Sequence, residues 1–153
     1  MIIGLISDTH CTLHPRIWEV FRHVDRIIHA GDVGDGDVLV ALQALAPVTA
    51  VYGNCDGWGL RHRLKKKETL LLEGYTLEIT HIPERDDYLD VRGDETDIKI
   101  FGHTHFGEVL RVGAVLVINP GSASRPRGQV HPTVALLELE AGRAPEAEIK
   151  LLR

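Results

Sequence analysis

Residues 1–7 are nearly all apolar, which predicts a buried strand, and residues 15–23 follow with helical spacing from Ile17, Val20, Phe21 and Val24. A second strand over 24–30 and a second amphipathic helix over 37–46 repeat the unit, and Pro47 closes the helix because it cannot continue it. A third strand over 48–52 runs into Gly53. Strand and helix in alternation predict a parallel sheet. Past residue 67 the texture changes to strands over 68–73 and 75–80, joined at Gly74 as a tight hairpin. A short helix over 85–91 and strands over 97–102, 107–111, 114–118, 133–139 and 146–152 complete a strand-rich second half. Two sheets packed together, with helices outside, would unite both halves in a single domain spanning 1–153.

Polar residues recur where these runs end: Asp8 and His10, Asp32, Asn54, His81, and the pair His103 and His105. In an α/β sheet the carboxyl ends of the strands converge on one rim, where such folds place ligands. Oxygen and imidazole donors gathered there suit hard or borderline divalent cations. Asp8 and His10 are separated by one residue, so on a strand continuation both side chains point to one side and can share an ion. Asp32 has two carboxylate oxygens and can bridge. Asn54 adds a neutral oxygen, His81 and His103 add imidazoles, and Gly102 lets the backbone approach closely before His103 and His105. The donors divide between two adjacent ions.

Composition narrows the setting. With 153 residues, 44% hydrophobic and 25% charged, the chain can bury a real core, and no apolar run reaches the length of a membrane span. Cys11 and Cys55 lie beside candidate ligands with no CxxC pair, which predicts reduced thiols. Cleavage of an N-terminal signal would remove Asp8, which favours the cytoplasm. Net charge is −5, and the basic stretch with Arg61, Arg63, Lys65, Lys66 and Lys67 reads as a solvated loop or strand edge rather than a nucleic-acid site. A homo-oligomer is compatible with this composition. His14 is read as solvent-facing, although it is placed to contact substrate, and His29 as a hydrogen-bonded interior residue. Arg127 either neutralises phosphate or braces the turn after Asn119; Trp18 is read as core, and Trp58 as a cleft wall or surface anchor.

The ordered set Asp8-Thr9-His10, Gly31-Asp32, Gly53-Asn54-Cys55-Asp56, His81 and Gly102-His103-Thr104-His105 resembles the signature of calcineurin-like metallophosphoesterases. Asn119-Pro120-Gly121-Ser122 with Pro126-Arg127 is similar to the tail of the small phosphodiesterase branch of that superfamily. The resemblance implies an α/β fold, a four-layer α/β/β/α sandwich of two mixed β-sheets flanked by helices. It implies a dinuclear centre in which Asp8, His10, Asp32 and His105 hold one metal, and Asp32, Asn54, His81 and His103 the other, with Asp32 as bridge. The implied reaction is metal-assisted hydrolysis of a phosphodiester, with Asp32, Asn54 and His81 as catalytic residues. Mn2+ is the expected cofactor, with Ni2+, Zn2+ and Fe as alternatives. Asp56 is expected to orient a ligand or to cap a turn.

Two departures bear on the chemistry. Cys55 stands where many superfamily members carry a His assigned to protonating the leaving group, and is read mainly as a small buried hydrophobe. Ile82 follows His81 where many relatives have Gly. Monoester hydrolysis and nuclease action are alternatives within the same class. A non-catalytic scaffold similar to the retromer subunit of the superfamily is the alternative from a different class. A single structural zinc site fits badly, because such sites favour four Cys and His ligands over this oxygen-rich set.

Overall fold

The computed structural model describes residues 1–84 and 95–153. The helix expected over 85–91 lies outside the described residues. The elements in chain order are β1 (Ile2–Ile6), α1 (Ile17–Val20), β2 (Arg26–His29), α2 (Gly36–Gln43), β3 (Val48–Ala50), α3 (Trp58–Arg63), β4 (Lys67–Leu72) and β5 (Tyr75–Thr80). They continue with β6 (Ile98–Ile100), β7 (Gly107–Val112), β8 (Val115–Pro120), β9 (Thr133–Glu140) and β10 (Arg143–Leu151). No helix among the described residues is long and apolar enough to cross a membrane.

Among the described residues, ten strands form two mixed five-stranded sheets, ordered β10-β9-β1-β2-β3 and β4-β5-β6-β8-β7. Parallel pairing of β1, β2 and β3 follows from the helical crossovers between them, while β9 returns antiparallel to β1. In the second sheet β5, β6 and β8 are parallel, and the β4-β5 and β7-β8 hairpins are antiparallel.

The period-2 alternation of strand side chains explains the packing. Ile3 and Leu5 of β1, Ile28 of β2 and Leu137 of β9 face Leu77, Ile79, Ile98, Ile100 and Ile118 of the second sheet. Ile6, Ile27 and Ala50 point the other way, onto Ile17, Phe21, Val38, Leu42 and Leu60 of the helical layer. Both faces of the first sheet are therefore dry, which accounts for its nearly continuous apolar strands.

The helices depart from the expected ones. Only one turn, α1, forms in place of the helix expected over 15–23; Arg16 gives its N-terminus no side-chain cap, and Phe21 already leaves helical geometry. Ile17 and Phe21 take the buried positions, and Trp18, read as core, is 42% exposed. In α2 the Asp35 carboxylate accepts a hydrogen bond from the Asp37 N–H, so the helix starts at Gly36. Helix α3 was not expected, because a Gly-Trp-Gly opening is a poor helix start and Leu60 is its buried anchor. Trp58 begins α3, stacks on His62 at 5.1 Å and is 79% exposed, so it is a surface residue.

Candidate metal centre

The loops that follow β1 and β2 run side by side past the end of the sheet. Asp8 N–H donates to the Gly31 carbonyl, His10 N–H to that of Asp32, and Cys11 N–H to that of Val33. The third strand delivers Gly53 and Asn54 to the same rim, β5 delivers His81, and the loop after β6 delivers His103 and His105. Asp8, His10, Asp32, His103 and His105 all have positive φ, between 44° and 69°. That conformation costs a non-glycine residue roughly 1–3 kcal/mol, and such residues cluster where side-chain placement serves function. Five of the seven expected ligands are held this way.

Hydrogen bonds leave a small set of atoms pointing inward. Oδ2 of Asp8 accepts from Ser7 Oγ at 2.7 Å and from the His103 N–H at 3.0 Å, so its Oδ1 is the free oxygen. Oδ1 of Asp32 accepts from the Cys55 N–H at 2.8 Å, leaving Oδ2. The Nδ1 of His81 donates to the Ala30 carbonyl at 2.8 Å, and the Nδ1 of His105 donates to the Arg125 carbonyl, so both rings turn Nε2 to the centre. This pattern is the one metal-ligating imidazoles show. Nε2 of His81 lies 3.1 Å from Asp32 Oδ2 and 3.7 Å from Asp8 Oδ1, and Nε2 of His105 lies 3.1 Å from Asp8 Oδ1. His10 Nε2 is 3.8 Å from each of Asp8 Oδ1 and Asp32 Oδ2.

Asp8 Oδ1 and His81 Nε2 are buried without a hydrogen-bond partner. A buried polar atom without a hydrogen-bond partner is costly, and here a carboxylate oxygen and an imidazole nitrogen of that kind face one another at 3.7 Å. A divalent cation resolves that conflict, and the donor set fits one. Asp8, His10 and His105 offer ligand atoms within 4.8 Å of one another, as do Asp8, Asp32 and His81. The Cys55 N–H occupies Oδ1 of Asp32, so Oδ2 is the oxygen this carboxylate would offer to a cation. Glycines make room for this: a Cβ on Gly53 would strike the Asp32 carboxylate, and one on Gly102 would strike the Ser7 hydroxyl and lie 2.8 Å from Asp8 Oδ2. The Gly102→Ala variant is expected to bind Mn2+ about ten- to a hundredfold more weakly, measured by titration of the metal-free protein.

Asn54 and His103 form a separate pair at the lip, with His103 Nδ1 3.2 Å from Asn54 Oδ1 and the His103 ring edge-on to His81 at 5.4 Å. Asn54 is exposed and His103 half-buried, outside the tightest clusters. Cys55, expected to be buried, is exposed, and its Sγ groups with His10 and Asp32. Asp56 is buried and accepts from the Val33, Gly34 and Gly53 N–H groups; it caps the loops instead of touching an imidazole. His14 accepts from the Arg16 N–H in its own turn, and Arg127 is exposed, with its N–H donating to the His105 carbonyl. His29 is interior as expected. Its Nε2–H donates to Thr9 Oγ1, which itself donates to the Val33 carbonyl, and its Nδ1 accepts from Gly31 N–H. Both ring nitrogens are used up.

Three supporting residues were not anticipated. Arg125 orients His105 through its carbonyl, Ser7 saturates one oxygen of Asp8, and Ser124 joins Ser122 in donating to the Asp8 carbonyl.

Electrostatics follows from burial and neighbours. Burial would raise Asp32, but its close contact with His81 and the Cys55 N–H outweigh that and hold its carboxyl well below the usual range. Burial raises Asp8. Burial opposes a charge on His81 too, yet the Asp32 and Asp8 carboxylates lift it above 6.5. Burial lowers His10 and pushes His29 down to about 3. Burial and then the Asp32 charge raise the Cys55 thiol, which stays protonated at neutral pH. For the metal-free protein the histidines pull in opposite senses on either side of their ordinary value. His81, raised in the fold, loses its contribution as pH rises through its folded value; His10 and His29, lowered in the fold, lose theirs as pH falls below 6.5. His81 keeps its proton until the pH passes its raised value, and a cation bound below that value must displace it, so the rise in Tm on adding Mn2+ is expected to grow with pH, as read by thermal unfolding.

Comparison with known proteins identifies the family. The profile of the calcineurin-like phosphoesterase superfamily domain matches residues 1–142. A probable metallophosphoesterase of Methanothermobacter thermautotrophicus is 34% identical over 163 residues, covering 97% of this chain and 91% of its own. A phosphodiesterase of Methanocaldococcus jannaschii is 32% identical, covering 92% of this chain and 94% of its own. Among solved structures, wild-type Vps29 of Entamoeba histolytica complexed with Zn2+ shares the fold, with a TM-score of 0.74 at 23% identity over 100% of both chains. The chain therefore belongs to the calcineurin-like phosphoesterase superfamily.

Proposed function

We propose that the protein is a metal-dependent phosphodiesterase with a dinuclear centre. Asp8, His10, Asp32 and His105 would hold one cation, and Asp32, Asn54, His81 and His103 the second, with Mn2+ as the metal expected in vitro. The observation that carries this reading is the convergence of the partnerless Asp8 Oδ1 and His81 Nε2, 3.7 Å apart, on a rim of further carboxylate and imidazole donors. Divalent cations bound there supply Lewis acidity toward phosphoryl oxygens and make water a competent nucleophile at neutral pH.

The chain's own residues orient and hold protons. Arg125 and Ala30 carbonyls fix the tautomers of His105 and His81, so neither ring needs to reorganise. Asn54 and His103 stand at the open lip, where an incoming phosphoryl group meets the centre first. The Cys55 thiol keeps its proton but is a weak donor, so esters with low-pKa leaving groups should turn over faster than alkyl esters. Free, exposed Cys11 and Cys55 beside the centre suit a reducing compartment such as the cytoplasm.

A protein-interaction scaffold is the second reading, supported by the shared fold with Vps29. Hydrolysis of an aryl phosphodiester and its monoester by metal-stripped protein, with and without Mn2+, separates the two. Diester turnover restored by Mn2+ is expected; bound metal with no turnover of either ester favours the scaffold.

A further inference from the structure

A cleft of about 840 Å3 opens beside the centre, with Asn54 and His81 in its wall together with Tyr52, Arg61, Lys66 and Thr80. That volume lies within the ~300–1,000 Å3 of small-molecule sites. The basic stretch read from sequence as solvated supplies its cations. Lys65 is not on a loose loop: it bridges Val51 in parallel fashion, and the Tyr52 N–H donates to its carbonyl at 3.1 Å. Lys66 therefore follows a pinned backbone.

The cations differ in how they are compensated. Lys67 pairs with Glu78 at 3.0 Å. Arg61 donates from Nε to the Asp56 carbonyl at 2.7 Å and from Nη2 to the Asn54 carbonyl at 2.9 Å, with its guanidinium over the Tyr52 ring. Carbonyls fix a guanidinium without neutralising it, so Arg61 presents a full charge next to Asn54. Lys66 has no ion pair among the described residues. Glu84 also lines the cleft, so Arg61 and Lys66 share this wall with a carboxylate. Tyr52 and the half-exposed Ile82 give the same wall an apolar surface for an organic arm.

We infer that this cleft is a subsite for a second anionic group on the substrate, a phosphate carried on one ester arm of the diester and held by Arg61 and Lys66. The inference rests on the phosphodiesterase reading and narrows its substrate class. It is tested with a matched pair of diesters, the p-nitrophenyl ester of thymidine 5′-phosphate with and without a 3′-phosphate, at fixed ionic strength with saturating Mn2+. The wild-type protein is expected to prefer the 3′-phosphorylated diester by roughly tenfold or more in kcat/KM, mainly through KM. The Lys66→Glu variant should bring that ratio close to one, whereas general damage to the fold would lower both rates and leave the ratio. Turnover of both diesters with no wild-type preference, or a ratio unchanged by Lys66→Glu, overturns the subsite alone. Turnover of neither diester removes the phosphodiesterase reading and the subsite with it.

Discussion

The Asp32→Asn variant is expected to fold, to bind no second cation, and to hydrolyse an aryl phosphodiester at least about a thousandfold more slowly, roughly 4 kcal/mol of lost transition-state stabilisation. The side chains are isosteric, so the loop after β2 keeps its shape. What changes is the atom offered to the centre. The Cys55 N–H requires an acceptor and takes the amide oxygen in place of Asp32 Oδ1. The amide NH2 then points where Oδ2 stood, 3.1 Å from His81 Nε2 and 3.8 Å from His10 Nε2. A donor with partial positive charge replaces the anionic oxygen that both cations would share. His81 also loses the contact that helps raise its pKa, so the metal-free variant should show a smaller fall in Tm above pH 6.5. Metal content and turnover should fall together; turnover retained without metal would break the link between them.

The Asp56→Ala variant is expected to fail differently, through stability. Its carboxylate is 3% exposed and accepts from Gly34 and Gly53 N–H at 2.8 Å each and from Val33 N–H at 3.3 Å. Removing it strands these donors, each at a cost of about 1–3 kcal/mol, so a loss of about 3–5 kcal/mol is expected after relaxation. That is a large share of the ~5–15 kcal/mol that holds a domain folded. The loops carrying Asp32 and Asn54 are the ones it ties together, so metal affinity should drop even at temperatures where the protein stays folded. Denaturant unfolding measures the first effect and metal titration the second; unchanged stability would mean that water replaces the carboxylate.

The strands were legible in the sequence because burial on both faces leaves nearly continuous apolar runs, as in Ile2–Ile6, and because Gly74 marks a hairpin turn. The ligand positions were legible for a related reason: Asp8, Asp32 and His81 follow directly on such runs, where a polar side chain has no part in a core. Helix α3 was hidden by its glycines, and the one-turn α1 by an apolar spacing that tertiary packing uses without a full helix. Positive φ at five of the candidate ligands has no sequence signal, since none of them is glycine. The Arg125 carbonyl is equally silent, because a backbone acceptor carries no residue identity. Cys55 is exposed at the edge of the His10 and Asp32 cluster, its N–H donating to Asp32 Oδ1, a placement that residue type alone does not signal.

The most direct test of the dinuclear centre is titration of metal-stripped protein with Mn2+, following bound metal per chain and aryl phosphodiester turnover on the same samples. Two ions per chain, with turnover appearing as the second binds, is the predicted result. Full turnover in the chelated, metal-free protein, or saturation at one ion with full activity, would contradict it.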